Sequence, residues 1–237
     1  MIMTDRDLFE VDGVFQFDPQ LPSHLIDAAI EQTLPLYKRD EEGRPIWRLL
    51  DAWKRCPAVK SIALWPAIQS KLYELHGRVA RAFQTLNFPV GTEQEAHSDT
   101  IHFDTEPPGL MAGVWVALED VGYYNGPLFY FSGSHRLPIW SMSDAGAKLC
   151  TDNDMSGYKT YEHFMRRKMV ESQLRYRHAV MPRGHAIVWA ANLVHGGSPR
   201  RTPELTRHSQ VTHYYLDGAT AYTSKISGTR KQPVWIA

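Results

Sequence analysis

The chain has 237 residues, with 26 Lys plus Arg against 26 Asp plus Glu, so its formal net charge is zero. That length supports one well-buried domain, 1–237, and the charge balance removes the electrostatic case for nucleic-acid or anionic-membrane partners, leaving a small-molecule substrate as the default. Two cysteines, Cys56 and Cys150, are too few for a disulfide framework and fit a cytoplasmic setting, while no apolar run reaches signal-peptide or membrane-span length.

In chain order, residues 22–38 open on Pro-Ser and carry Leu25, Ile26, Ala29 and Ile30 at helical spacing. Helices are also expected over residues 46–55 and 65–83, the latter with a stripe of Ile68, Leu72, Leu75 and Val79. Residues 1–83 therefore read as a mainly helical scaffold outside the core. From Gln84 the texture changes to short β-rich runs broken by Gly and Pro, at 85–88, 96–103, 110–118, 127–131, 185–189 and 210–216. The run at 110–118 is apolar on both faces and reads as a central core strand, with Trp115 in the core. The fold class expected is mainly β with flanking helices, a jelly roll or related barrel over residues 84–222.

Residues 139–177 interrupt this pattern and read as a lid-like insertion. A helix is expected over 161–174, its Arg166-Arg167-Lys168 cluster with Arg175 and Arg177 forming a solvated face. His135, after the Gly133-Ser134 turn, reads as structural because nothing near it completes a metal set.

The chemistry-bearing stretch is Gln94-Glu95-Ala96-His97-Ser98-Asp99. Alternate residues of a strand share a face, so His97 and Asp99 can present an imidazole and a carboxylate to one ion. A remote His195, in Val194-His195-Gly196-Gly197, would complete two His and one carboxylate, the set that leaves open positions in non-haem Fe(II) oxygenases. His102-Phe103-Asp104 also fits His-x-Asp, with opposite strand parity, so one of the two pairs is the site. Gly196 and Gly197 beside His195 permit close backbone approach or positive φ. Downstream, Arg207-His208-Ser209 opens a β-branched run, and an arginine there can fork onto a carboxylate with Ser209 adding a hydroxyl. Arg200 and Arg201 compete for that role but sit in a Pro-flanked turn.

These pieces, in this order, resemble the phytanoyl-CoA dioxygenase family of Fe(II)/2-oxoglutarate oxygenases, which includes ectoine hydroxylase. The similarity runs over residues 83–222. It is carried by Gln84-Thr85-Leu86-Asn87-Phe88, His97-Ser98-Asp99, Trp115-Val116-Ala117-Leu118-Glu119-Asp120, Asn125-Gly126-Pro127-Leu128, Gly133-Ser134-His135, His195-Gly196-Gly197 and Arg207-x-Ser209. The resemblance selects His97 and Asp99 over His102 and Asp104 and implies a double-stranded β-helix of cupin-like form. It further implies that His97, Asp99 and His195 bind Fe(II), that Arg207 and Ser209 hold the distal carboxylate of 2-oxoglutarate, and that O2 oxidises a C–H bond with release of succinate and CO2. Asp99 matters again because related halogenases carry a small residue there, so its presence argues for hydroxylation. Ser132, where proline is usual, and His185, where an acid is common, depart from the pattern without touching the metal set. Two rivals stand beside this reading: a non-catalytic metal-binding jelly roll, and an oxygenase acting on a macromolecule, which the charge balance disfavours.

Overall fold

The computed structural model describes residues 3–151, 153–223 and 225–237; Met1 and Ile2 of the N-terminal stretch and Asp152 of the 139–177 insertion lie outside the described residues. Helix α1 (Asp5–Asp12) starts on a Thr4/Asp7 capping box and ends at Gly13, whose φ of 74° is left-handed. Strand β1 (Val14–Phe17) follows, then α2 (Ser23–Thr33). Neither α1 nor β1 is marked by long periodicity in the sequence.

The expected helix at 46–55 does not form. After β2 (Lys38–Arg39), the chain instead forms the two-residue strands β3 (Pro45–Ile46) and β4 (Leu49–Leu50), followed by a 3-10 turn at Ala52–Lys54. Trp47 and Asp51 take φ values of 66° and 53°, which no right-handed helix accepts. Ile46, Leu49, Leu50 and Trp53 happen to sit at helical spacing, so the apolar pattern mimicked a helix. Helices α3 (Pro57–Ala63) and α4 (Pro66–His76) both start on proline at the first helical position. Helix α4 stops at left-handed Gly77 and not at residue 83, so Val79 falls outside the buried stripe of Ile68, Leu72 and Leu75 and is exposed. The chain then enters β5 (Ala80–Phe88), five residues earlier than its β-rich texture suggests.

The remaining elements are β6 (Asp104–Glu106), β7 (Met111–Ala117), β8 (Leu128–Phe131), α5 (Ser156–Ser172), β9 (Tyr176–Ala179), β10 (Ala186–Ala190), β11 (His195–Gly197), β12 (Ser209–Leu216) and β13 (Thr220–Tyr222). A major antiparallel sheet runs β1-β10-β7-β12-β5-β4 and faces a minor sheet β11-β8-β9; β13 pairs with β6 and β2 with β3. Two facing antiparallel sheets with helices outside make the double-stranded β-helix, or jelly roll.

Strand alternation divides the major sheet between two cores. Ala112, Val114 and Val116 of β7 and Ala186 and Val188 of β10 face α2, α3 and α4, packing on Ile26, Val59, Ile62, Ile68 and Leu72. Trp115, Ile187, Trp189 and Val211 face the minor sheet and meet Leu128 and Ala179. On β12 the even residues reach the helices, with Gln210 donating to Val59 O (3.0 Å) and the Tyr214 hydroxyl to Ala63 O (2.7 Å). Odd residues Ser209, Val211 and His213 are thereby turned inward. Helix α5 buries Tyr161, Phe164, Met165 and Met169 against Ala96, Ile101 and Val194, while Arg166 and Arg167 are exposed as a solvated face.

Candidate metal and co-substrate site

The strand expected over residues 96–103 is absent. His97 instead forms an isolated antiparallel bridge with His195, each backbone N–H donating to the other's carbonyl (3.0 and 2.9 Å), and Asp99 opens a 3-10 turn at Asp99–Ile101 capped by Ser98. A two-way backbone bridge points both side chains to one face, so the two imidazoles lie side by side with ring centroids 4.6 Å apart. Ser98 locks the turn through Thr100 Oγ1 (2.7 Å) and Asn192 Oδ1 (3.0 Å). Strand parity was thus the wrong reason for grouping His97 with Asp99. The bridge and the turn bring them together.

The Nε2 atoms of His97 and His195 lie 3.9 and 3.8 Å from Asp99 Oδ1, and among the described residues this is the one His/Cys/Asp/Glu group whose ligand atoms all fall within 4.8 Å. All three residues are buried. His97 Nδ1 donates to Glu95 O (2.9 Å) and His195 Nδ1 to Leu193 O (3.0 Å), which leaves the Nε2 lone pairs facing Asp99. Burial pushes the His97 imidazole down to about 3, helped by His195, so it is neutral near pH 7. Burial opposes ionisation of Asp99, yet His195, His213 and the His213 hydrogen bond together hold it well below the usual carboxylate range. A neutral His97 imidazole and an ionised Asp99 carboxylate are donor forms that a divalent cation requires.

Two residues absent from the sequence reading orient Asp99. Trp189 Nε1 donates to Oδ2 (2.7 Å) and His213 Nε2 lies 3.4 Å from the same oxygen, so Oδ1 is the one left facing the histidines. His213 is held in turn by Gln84 Oε1 at its Nδ1 (3.0 Å). The Trp189 indole has room because Gly113 stands opposite it on β7; a Cβ there would lie 2.1 Å from the ring. Gly196 and Gly197 serve close approach and not positive φ, since Cβ atoms there would meet Gln94 O at 2.5 Å and Thr92 Oγ1 at 2.4 Å. Gln94 Nε2 donates to His97 Nε2 and to the Tyr158 hydroxyl, both at 3.3 Å.

The competing pair points elsewhere. His102 Nε2 meets the Tyr158 hydroxyl (3.2 Å), and Asp104 pairs with Arg230 (3.1 Å) on the outer hairpin. His135 contacts Glu10 O through Nε2 (3.1 Å), a structural tie to α1. Ser132 fills the proline position with a hydroxyl that donates to Asp12 Oδ1 (2.5 Å), fastening the end of the same helix.

The triad opens into a cavity of about 690 Å3 that also takes in Arg207. The Arg207 side chain is buried, donates Nη1 to Gly126 O (2.9 Å), and lays its guanidinium over Trp115 and Phe88 at 5.2 and 6.0 Å. Burial pushes it down to about 10, which leaves it a cation at neutral pH. Its Nε and the Ser209 hydroxyl are buried without a hydrogen-bond partner. Buried donors are rarely left unpaired, and these two ask for an acceptor that enters the cavity, which a carboxylate satisfies. Arg200 is engaged by Glu93 at 3.0 Å, and neither it nor Arg201 lines the cavity. The residues present fit Fe(II) and 2-oxoglutarate at both ends.

A family model described as phytanoyl-CoA dioxygenase matches residues 51–209. The phytanoyl-CoA dioxygenase domain-containing protein 1 of Mus musculus is 31% identical over 148 residues, covering 60% of this chain and 44% of that protein. Its Danio rerio counterpart is 26% identical over 161 residues, covering 66% and 52%. The chain spans about half the length of the curated relatives it matches. Among solved structures, the epimerase SnoN in complex with Fe3+, alpha ketoglutarate and nogalamycin RO aligns with a TM-score of 0.70 at 19% identity, covering 97% of this chain and 91% of that one. EctD from S. alaskensis aligns at 0.63 and 18%, covering 89% and 75%. These likenesses match the jelly roll described above, and with two thirds of the sequence under one family model the chain belongs to the phytanoyl-CoA dioxygenase family.

Proposed function

We propose that this chain is an Fe(II)- and 2-oxoglutarate-dependent dioxygenase that hydroxylates an unactivated C–H bond of a small metabolite. One observation carries the reading: three metal-ligand side chains and a buried arginine whose Nε has no partner line the same cavity, with the unpartnered Ser209 hydroxyl two residues further along the chain. His97, Asp99 and His195 would hold Fe(II), and Arg207 with Ser209 would receive the far carboxylate of 2-oxoglutarate. When bound, the metal and co-substrate supply oxidative decarboxylation with O2 to succinate and CO2 and the oxidation of the substrate. The chain supplies positioning and exclusion of water. Trp189 and His213 fix which Asp99 oxygen faces the metal, and Trp115 and Phe88 keep the carboxylate anchor dry. The orphaned Arg207 and Ser209 donors favour this reading over a purely structural metal site, which has no use for them.

A cavity of this volume holds 2-oxoglutarate together with a small substrate. A single domain is part of the proposal, although the boundary expected at residue 84 does not separate scaffold from core, because β1, β4 and the start of β5 belong to the major sheet; a cytoplasmic location is also proposed, and among the described residues no helix is long and apolar enough to cross a membrane. Residues 139–177 would act as a lid, since Cys150, Thr151 and Met155 line the cavity and Tyr158 contacts both Gln94 and His102. Limited proteolysis within 139–177 is expected to slow once substrate and 2-oxoglutarate are bound, and equal cleavage would count against a lid. The test of the activity is succinate formation and O2 uptake dependent on 2-oxoglutarate by the Fe(II)-loaded protein, abolished in His195→Ala. Tight metal binding with no such turnover across a metabolite library would favour the non-catalytic rival.

A further inference from the structure

The mouth of the cavity carries charge that the metal and the co-substrate do not use. Among the described residues three cations line the cavity, Arg48, Arg207 and Lys231, and Arg207 is committed to the deep end. The carboxylates lining it are Asp99, which faces the metal position, and Asp51, which is tied to Lys54 Nζ (3.0 Å). Other cations of the same segments are neutralised: Arg44 by Asp40 (2.7 Å) and Arg230 by Asp104 and Glu106 (3.1 and 2.8 Å). Among the described residues no hydrogen bond or ion pair engages the side chain of Arg48 or Lys231. In a chain of zero net charge, this local surplus is a property of the mouth and not of the surface as a whole.

Backbone conformation supports the same place. Trp47 and Asp51, both non-glycine residues with left-handed φ, bracket Arg48, and for a residue as bulky as tryptophan that conformation is costly. Asp51 is pinned by its N–H to Thr85 O (2.8 Å). Leu50 and Val234, which line the same cavity as Arg48 and Lys231, are exposed apolar residues, so the rim carries apolar surface as well as charge. The tail is held across the mouth by the Thr223–Lys231 bridge and by Ile236 N–H donating to Ala82 O (2.8 Å).

We infer that Arg48 and Lys231 form an anion subsite at the cavity mouth, so that the primary substrate carries a carboxylate or phosphate group on an apolar body. This rests on the dioxygenase reading of the same cavity and narrows its substrate class. Opposite charges near a low-dielectric wall also raise the capture rate of an anionic substrate, an effect that salt weakens.

The test uses the full chain loaded with Ni(II) and saturated with 2-oxoglutarate, so that Arg207 is occupied and no turnover occurs. Octanoate, octyl phosphate and 1-octanol are titrated by calorimetry against the wild type, the double variant Arg48→Gln/Lys231→Gln, and the remote control Arg201→Gln. At least one anion is expected to bind about fivefold or more tightly than 1-octanol, and the tighter of the two tells carboxylate from phosphate. The double variant should lose about two- to thirtyfold of that affinity, the range for two exposed ion pairs, with octanol binding unchanged and the control like wild type. Octanol matching both anions, full anion affinity in the double variant, or no binding of any probe would each overturn the subsite. Metal and 2-oxoglutarate binding are measured on the same samples. If they fail while Arg48 and Lys231 still govern anion binding to the metal-free protein, the dioxygenase reading falls and the subsite stands.

Discussion

His97-Ser98-Asp99 and His102-Phe103-Asp104 share one spacing and lie five residues apart, yet only the first pair converges on a third ligand. The first meets His195 through a backbone bridge, and its carboxylate is oriented by Trp189 and His213 in the buried interior. The second splits, with His102 turned to Tyr158 and Asp104 paired outward with Arg230. A local motif becomes a site through what the fold delivers to it from distant strands. In the first pair those deliveries come from residues 189, 195 and 213.

The widest gap between the two pairs should appear on deleting their carboxylates. Asp99→Ala is expected to weaken Fe(II) binding by more than the roughly 100-fold that attends loss of an outer partner of a ligand. Asp104→Ala removes one arm of an exposed ion pair, worth about 0–1 kcal/mol of stability, and should leave the metal affinity alone. Anaerobic Fe(II) titration decides, and the reverse pattern would move the site to the second pair.

A parallel contrast holds among the arginines. Arg207→Ala truncates a buried charge partner and should weaken 2-oxoglutarate binding by about 2 to 5 kcal/mol, or roughly 30-fold to several thousand-fold, with Fe(II) binding intact. Arg207→Lys should rescue little because a point charge cannot reproduce the planar fork. Arg201→Ala should leave the 2-oxoglutarate affinity as it is; loss there with retention in Arg207→Ala would reassign the anchor to the loop after His195.

Trp189→Phe tests whether the outer contacts of Asp99 distinguish the two pairs. Removing one donor to Oδ2 should cost about 10- to 100-fold in metal affinity. Gly113→Ala should act in the same direction, since the new Cβ would displace the indole. Unchanged Fe(II) affinity in both variants would make Trp189 a packing residue only.

The smallest expected effect is one the two histidines share. Burial lowers His97 to about 3 and His102 to about 4, from an ordinary value of 6.5. Between those folded values and 6.5 the unfolded chain binds protons that the folded chain refuses, so stability of the metal-free protein falls as pH drops below about 6.5 and is recovered above it. From pH 7 to 6 each histidine should remove somewhat under about 1 kcal/mol, read as a lower midpoint in urea. His102→Gln should flatten part of that slope, and a pH-independent midpoint would contradict neutral burial.

Much of this was legible from the sequence where one residue's neighbours along the chain determine its environment. The doubly apolar run of β7 marked the central strand, and the helix expected over 161–174 overlaps α5, which starts five residues earlier and ends two residues sooner. Segment 46–55 was misread because its helical apolar spacing hides two left-handed residues. The role of Trp189 has no sequence signal, since the room for its indole depends on Gly113 across the sheet, a pairing that no local pattern encodes. His213 was more accessible: it shares strand parity with Arg207 and Ser209, and a period-two reading of β12 places it on the same inward face. His97 and Asp99 do lie together, but a backbone bridge and a 3-10 turn bring them there and not the strand that their spacing suggests.

The most direct measurement is an anaerobic crystal structure with Fe(II) and 2-oxoglutarate, with the metal located by its anomalous signal. The account predicts one iron bound by His97 Nε2, Asp99 Oδ1 and His195 Nε2, and the distal carboxylate of 2-oxoglutarate on Arg207 and Ser209. Iron held by His102 or Asp104, or 2-oxoglutarate bound away from Arg207, would contradict it.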